Sequence, residues 1–198
     1  MINLNYLENF FFTSYLDNTI KNNLRKFKNI SIVYNTQENS LNINEFLKIK
    51  EFCKKEKINI YFPDNIKLAI KLGTDGLFIT SQNKRIYQPY KKSFKFIGAA
   101  HNQREFYFKT YQKCEYLFLS PIFYNPKYSN NEILQTTRFN LIALNWKKRL
   151  IALGGINNKN LRKIYLTRSC GVGFVSWINK SSIKKPVYFK NIRAFYNF

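Results

Sequence analysis

Residues 149–161 read RLIALGGINNKNL, and the paired Gly154 and Gly155 follow an apolar run and precede a helix start. Glycine accepts positive φ and lets a ligand approach the backbone closely. Further on, Ser176 closes another apolar run in GVGFVSWI (171–178). Backbone N–H groups at a glycine pair, the positive end of a helix, and a serine hydroxyl with its own N–H are the parts of a phosphate site. A tight strand-to-helix turn needs the same glycines for geometry alone. These residues fit either role.

The elements that must position them are legible as periodicity. Short, nearly continuous apolar runs lie at 10–15, 30–34, 58–62, 76–80, 94–99, 116–120, 150–153 and 172–175, as parallel strands buried on both faces require. Helix starts stand between them. Asn42 with Glu45, and Asn102 with Glu105, have capping-box spacing ahead of apolar residues. Asp64 is expected to cap a helix carrying Ile66, Ala69 and Ile70, and Asn157 one carrying Leu161, Ile164 and Tyr165. Eight strands with interposed helices in 198 residues predict one compact (β/α)8 TIM barrel spanning 1–198. The stretch 80–93 contains Pro89 and little periodicity, so the fourth helix is expected to be short or missing. The rival architecture is an open doubly wound sheet. In a barrel, function sits at the C-terminal ends of the strands, and phosphate sites favour the loops after strands seven and eight. Gly154, Gly155 and Ser176 occupy those positions.

Composition narrows the class. Hydrophobic residues make up 45% and aromatics 18%, which excludes a disordered chain. No apolar run reaches the ~18 residues of a membrane helix, and the start MINLNYLENFFFTSYLDN lacks the positive n-region of a signal peptide. Cys53, Cys114 and Cys170 are scattered among apolar residues without metal-ligand spacing, as expected of core residues in a cytoplasmic protein. The net charge is +22. The lysines are spread along the chain, and Lys, Asn, Ile, Phe and Tyr, all with AT-rich codons, are abundant together. A biased genome would produce this charge without selection for a polyanion, so the charge fits either a functional or a compositional origin, and nucleic acid is not an expected partner. A basic surface still favours small anionic substrates.

Four segments, in order, resemble the thiamine-phosphate synthase / thiazole tautomerase family of barrels: LAIKLGTDGLFIT (68–80), FIGAAHNQREF (96–106), YLFLSPIFYNPKYS (116–129) and LIALGGINNKNL…GVGFVSWI (150–178). The family shows a strand around "GADG", then "IGVSAHN", then "DYVGVGPIFPT-x-TK", and closes with "AIGGI" and "VVSAI". The resemblance covers roughly residues 58–178, and all seven glycines lie within these segments.

The resemblance implies a transferase of thiamine biosynthesis that joins hydroxymethylpyrimidine diphosphate to thiazole phosphate and releases pyrophosphate. The partners are thus small phosphorylated molecules, with no membrane. The thiazole phosphate would sit on Gly154, Gly155 and Ser176. Magnesium would help the pyrophosphate leave, held by Asp64 and by Asn83, which stands where the family has a second aspartate. Asn35 and Gln37 stand where the family's "QLREK" carries cations for the diphosphate. Asn125 replaces a threonine of the "PT-x-TK" loop, and Lys127 stands one position from that loop's lysine and would supply the catalytic cation. His101, the single histidine, falls where the tautomerase branch is thought to transfer a proton, a role an imidazole can fill. The alternatives are a tautomerase-type isomerase and a non-catalytic protein that binds the phosphate ligand. Phe78, Tyr124 and Trp177 are candidates to flank a flat heterocycle.

Overall fold

Strands form where the apolar runs lie. The computed structural model describes residues 7–35, 41–88, 91–126, 128–146 and 149–179. The strands are β1 (Glu8–Thr13), β2 (Ile30–Tyr34), β3 (Asn59–Pro63), β4 (Gly76–Ile79), β5 (Lys95–Ala100), β6 (Tyr116–Leu119), β7 (Arg149–Leu153) and β8 (Gly171–Phe174). They pair in sequence order as a closed barrel. β1 lies parallel to β2 on one side and to β8 on the other, with Asn9 opposite Val172 and Phe10 opposite Gly173. This closure removes the open doubly wound sheet.

Side chains alternate across the strands with period two. One set, Phe10, Phe12, Val33, Tyr61, Ile97, Tyr116, Phe118 and Ile151, forms its own buried cluster and fills the barrel interior. Aromatic edges meet aromatic faces there: Phe118 is T-shaped to Phe10 at 4.9 Å and to Phe12 at 5.2 Å. Such pairs add about 0.5–1.5 kcal/mol each beyond area burial. The alternate set, among them Phe11, Ile32, Leu77, Leu117 and Val172, packs outward with helix residues such as Phe46 and Ile49.

The helices are α1 (Asn18–Leu24), α2 (Ile43–Glu56), α3 (Ile66–Lys71), α4 (Gln103–Tyr111) and α5 (Gln135–Leu144). Asn42 and Asn102 cap α2 and α4 as expected, each accepting from the N–H of the glutamate three residues on. Two expected starts are corrected. Asn65, not Asp64, caps α3 by accepting from the Leu68 N–H. Asp64 instead adopts φ +52°, and its carboxylate is drawn to the next strand. Asn157 does not start an α-helix. Asn157 accepts from the Lys159 N–H, and Asn160 accepts from the Asn157 N–H. These local turns compete with helical bonding, and only a six-residue 3-10 helix, Leu161–Leu166, follows. Residues 80–88 contain no helix, in line with the expected weak fourth helix. Pro89 lies outside the described residues, as do the ends of the expected 1–198 domain.

Candidate active site

Because all eight strands run parallel, the residues after each one meet at a single mouth. Asn35 follows β2, Asp64 β3, Thr80 β4, His101 β5, Asn125 β6, Gly154 and Gly155 β7, and Ser176 β8. Gln37 and Lys127 lie outside the described residues. The floor of the mouth is aromatic, with Phe78 half-buried and T-shaped to Phe12 at 5.3 Å and to Phe118 at 5.8 Å.

Gly154 and Gly155 have φ of +92° and +69°, values L side chains rarely adopt. A Cβ on Gly155 would stand 2.4 Å from the carbonyl oxygens of both Phe123 and Tyr124. The pair therefore lets the chain after β7 press against the loop after β6, where the N–H groups of Ile122 and Phe123 donate to the carbonyls of Leu153 and Gly154. Asn157 and Asn160 donate to the Gly155 carbonyl, so the carbonyls are occupied. Among the described residues no hydrogen bond uses the N–H of Gly154, Gly155 or Ser176, or the exposed Ser176 hydroxyl. Since β7 and β8 are neighbours with Leu153 opposite Gly173, these donors share one side of the mouth. The helix dipole expected behind them is reduced to the short 3-10 helix.

His101 is exposed, and its Nδ1 lies 3.1 Å from the Ser120 carbonyl. The Ser120 hydroxyl lies 3.4 Å from the same nitrogen; a carbonyl only accepts, so the shorter contact assigns the proton of neutral His101 to Nδ1 and the lone pair to Nε2. Its backbone N–H donates to Glu105 at 2.6 Å, tying the histidine to the α4 cap. Asn125 is half-buried, its carbonyl accepting from Tyr128. Asn35 is half-buried too, and its N–H donates to Thr13.

Asp64 and Asn83 are brought together: the Asn83 amide donates to Asp64 at 2.7 Å. Asp64 also accepts from the Thr80 hydroxyl at 2.7 Å and the Thr80 N–H at 3.0 Å. Tyr87 donates to the Asp64 carbonyl and receives the second Asn83 amide proton. Behind this group lies Lys109 on α4, fully buried, donating to the carbonyls of Thr80 at 2.6 Å and Asn83 at 3.1 Å and to the Gln112 side chain at 2.9 Å. Burial pushes the Lys109 ammonium below the ordinary lysine range, opposed by the negative charges of Asp64 and Glu105. The stem of Lys109 passes over Gly98, where a Cβ would stand 2.8 Å from its Cδ.

Sequence reasoning missed Lys109, Gln112, Thr80 and Tyr87. The signal was available for Lys109: it sits three residues after the buried Phe106, on the face of α4 that turns to the sheet. Of the candidate aromatics, Phe78 lines the floor and Tyr124 is exposed. Trp177 is corrected to a core residue, buried against Phe27 and Phe174 with its indole N–H on Asn158.

Fold and mouth together define a (β/α)8 barrel with one polar rim over an aromatic floor. The thiamine monophosphate synthase family model matches residues 25–180, and the chain belongs to that family, whose members act on small phosphorylated substrates. It is 28% identical over 148 residues to thiamine-phosphate synthase 1 of Streptococcus pneumoniae serotype 4, covering 71% of this chain and 70% of that one. It is 27% identical over 143 residues to thiamine-phosphate synthase of Helicobacter pylori, covering 70% and 64%. The fold is also similar to thiamine phosphate pyrophosphorylase from Pyrococcus furiosus, with a TM-score of 0.67 at 15% identity over 87% of each chain.

Proposed function

We propose that this chain is a thiamine-phosphate synthase-type transferase that joins hydroxymethylpyrimidine diphosphate to thiazole phosphate and releases pyrophosphate. The observation that carries the reading is the row of unengaged donors after β7 and β8 on a barrel of this family. Gly154, Gly155 and Ser176 offer three N–H groups and a hydroxyl to the thiazole phosphate, and charge-assisted bonds of this kind are the strong ones. The Phe78 floor offers a face to the flat rings. Asn125, Asn35 and Gln37 are assigned to substrate, and Lys127 to the leaving pyrophosphate, whose developing negative charge needs a preorganised cation.

Magnesium is the general cofactor of the family, and Asp64 with Asn83 is its expected position. The donor set does not fit: Asn83 turns amide protons toward Asp64, where a cation needs oxygen lone pairs. No group of three His, Cys, Asp or Glu that would hold a metal occurs among the described residues. Cys53, Cys114 and Cys170 form no disulfide, which suits a cytoplasmic enzyme, and no described helix is long and apolar enough to cross a membrane.

The His101 lone pair on Nε2 favours a second reading, a tautomerase-type isomerase that moves a proton on the thiazole phosphate. One assay separates the readings: purified protein with both synthase substrates and Mg²⁺, with thiamine phosphate as the readout. Product formation is the expected result. Tight thiazole-phosphate binding without product would replace the synthase reading with the isomerase or a non-catalytic binder.

A further inference from the structure

We propose that Asn83 and the buried Lys109 ammonium take the place of a divalent cation beside Asp64, so that this chain binds no metal ion between β3 and β4. The expectation of a metal rests on the family reading above; its replacement rests on geometry. The orientation of the Asn83 amide is set by its neighbours. The Arg85 N–H donates to Asn83 Oδ1 at 2.9 Å, and a backbone N–H can only donate, so the NH₂ group must face Asp64 and Tyr87. The amide thus points protons into the space a cation would need.

The state of Lys109 is set in the same way. Gln112 donates its amide protons to the carbonyls of Asn83 and Arg85, leaving its oxygen toward Lys109. Three acceptors then surround Nζ, which matches the three protons of an ammonium and not the two of a neutral amine. Thr80 and Asn83 bridge the charges: each accepts from Lys109 with its carbonyl and donates to Asp64. One negative and one positive charge are thereby joined through two polarised residues. A Mg²⁺ ion entering here would meet a carboxylate already holding three donors and a fixed cation behind it. Its usual coordination, near-octahedral oxygen with one or two carboxylates, is not offered.

The test measures the affinity of the full chain for Mn²⁺–pyrophosphate by calorimetry, in wild type and Asp64→Asn. Asparagine tolerates the left-handed backbone of position 64, so the substitution removes the charge without forcing the loop. The proposal expects wild-type and variant affinities within about twofold, or no binding of either. A loss of tenfold or more in Asp64→Asn would overturn it, since Asp64 would then be holding the ion. Asn83→Asp sets a second carboxylate opposite the first and is expected to gain at least tenfold. A folded Asn83→Asp protein with no gain would also count against the proposal, because the amide would not be what excludes the cation. Neither measurement reads thiamine phosphate, so failure of the synthase reading leaves this result to stand or fall alone.

Discussion

At the β7–β8 side of the mouth, the N–H groups of Gly154, Gly155 and Ser176 meet no acceptor among the described residues. At the β3–β4 side, Asp64 accepts three hydrogen bonds, and Lys109 behind it spends all three protons. Both regions stand at the ends of neighbouring parallel strands, and both hold residues marked for chemistry, the first by spacing and the second by the family resemblance. The difference separates a surface whose donors stand open from one that has closed upon itself. Unpaired polar groups are costly where water is excluded, so the first arrangement persists at an open rim, and the second belongs where the chain covers its charges.

The comparison breaks most visibly at Lys109. Replacement by methionine keeps the stem but takes the buried donor from the Gln112 side-chain oxygen, leaves the carbonyls of Thr80 and Asn83 with one donor each, and leaves Asp64 without its compensating charge. Removing one partner of a buried charged network costs about 4 kcal/mol. For a chain of this size that lowers the melting temperature by roughly 8–16 °C, measurable by calorimetry. A fall below about 2 °C would mean that the β3–β4 side is not held by this network. Gly155→Ala comes next. The left-handed backbone costs about 1–2 kcal/mol, and overpacking against the Phe123 and Tyr124 carbonyls adds a further ~1–3 kcal/mol. Denaturant unfolding should show a loss of about 3 kcal/mol, so this substitution probes the turn more than any ligand. A stability equal to wild type would show that the loop after β6 moves away freely.

The fold was readable because its signals are local and repeated. Eight apolar runs, with Asn42 and Asn102 at helix starts, each obey a rule that needs no distant residue. The place of Gly154 and Gly155 after β7 was readable for a related reason, since a glycine pair after a strand announces itself. The β3–β4 side was not. Asp64 looks like a helix cap, yet its partners Thr80 and Asn83 come from the following strand and loop, and the deciding charge comes from α4. A lysine on a core-facing helical position carries only a weak signal, because lysine stems commonly bury while their heads reach water. Asn157 misled for another reason: asparagine serves turns as well as caps.

The anion side can be sharpened at Ser176. Its side chain is exposed, so Ser176→Asp should leave the melting temperature unchanged. A carboxylate placed at the proposed phosphate position would repel the dianion in a partly desolvated site, and thiazole-phosphate affinity should fall ~10²-fold, about 2.7 kcal/mol. Titration calorimetry on the folded variant decides: wild-type affinity would leave the glycines as turn residues only.

The smallest expected effect lies at Asn65, one residue from Asp64. Its side chain accepts from the Leu68 N–H and caps α3, and among the described residues no hydrogen bond joins that side chain to Asp64, Asn83 or Lys109. Asn65→Ala should therefore cost about 1 kcal/mol, roughly 2–4 °C in melting temperature. Thiazole-phosphate affinity should not change, because the donors after β7 and β8 are on the far side of the mouth. The same variant should show unaltered affinity for Mn²⁺–pyrophosphate, since Asp64 keeps all three donors. A drop in either affinity larger than about threefold would mean that the cap at α3 and the ligand side of the mouth are coupled. The two sides would then have to be treated as one unit, in which a change at either end reorganises the other.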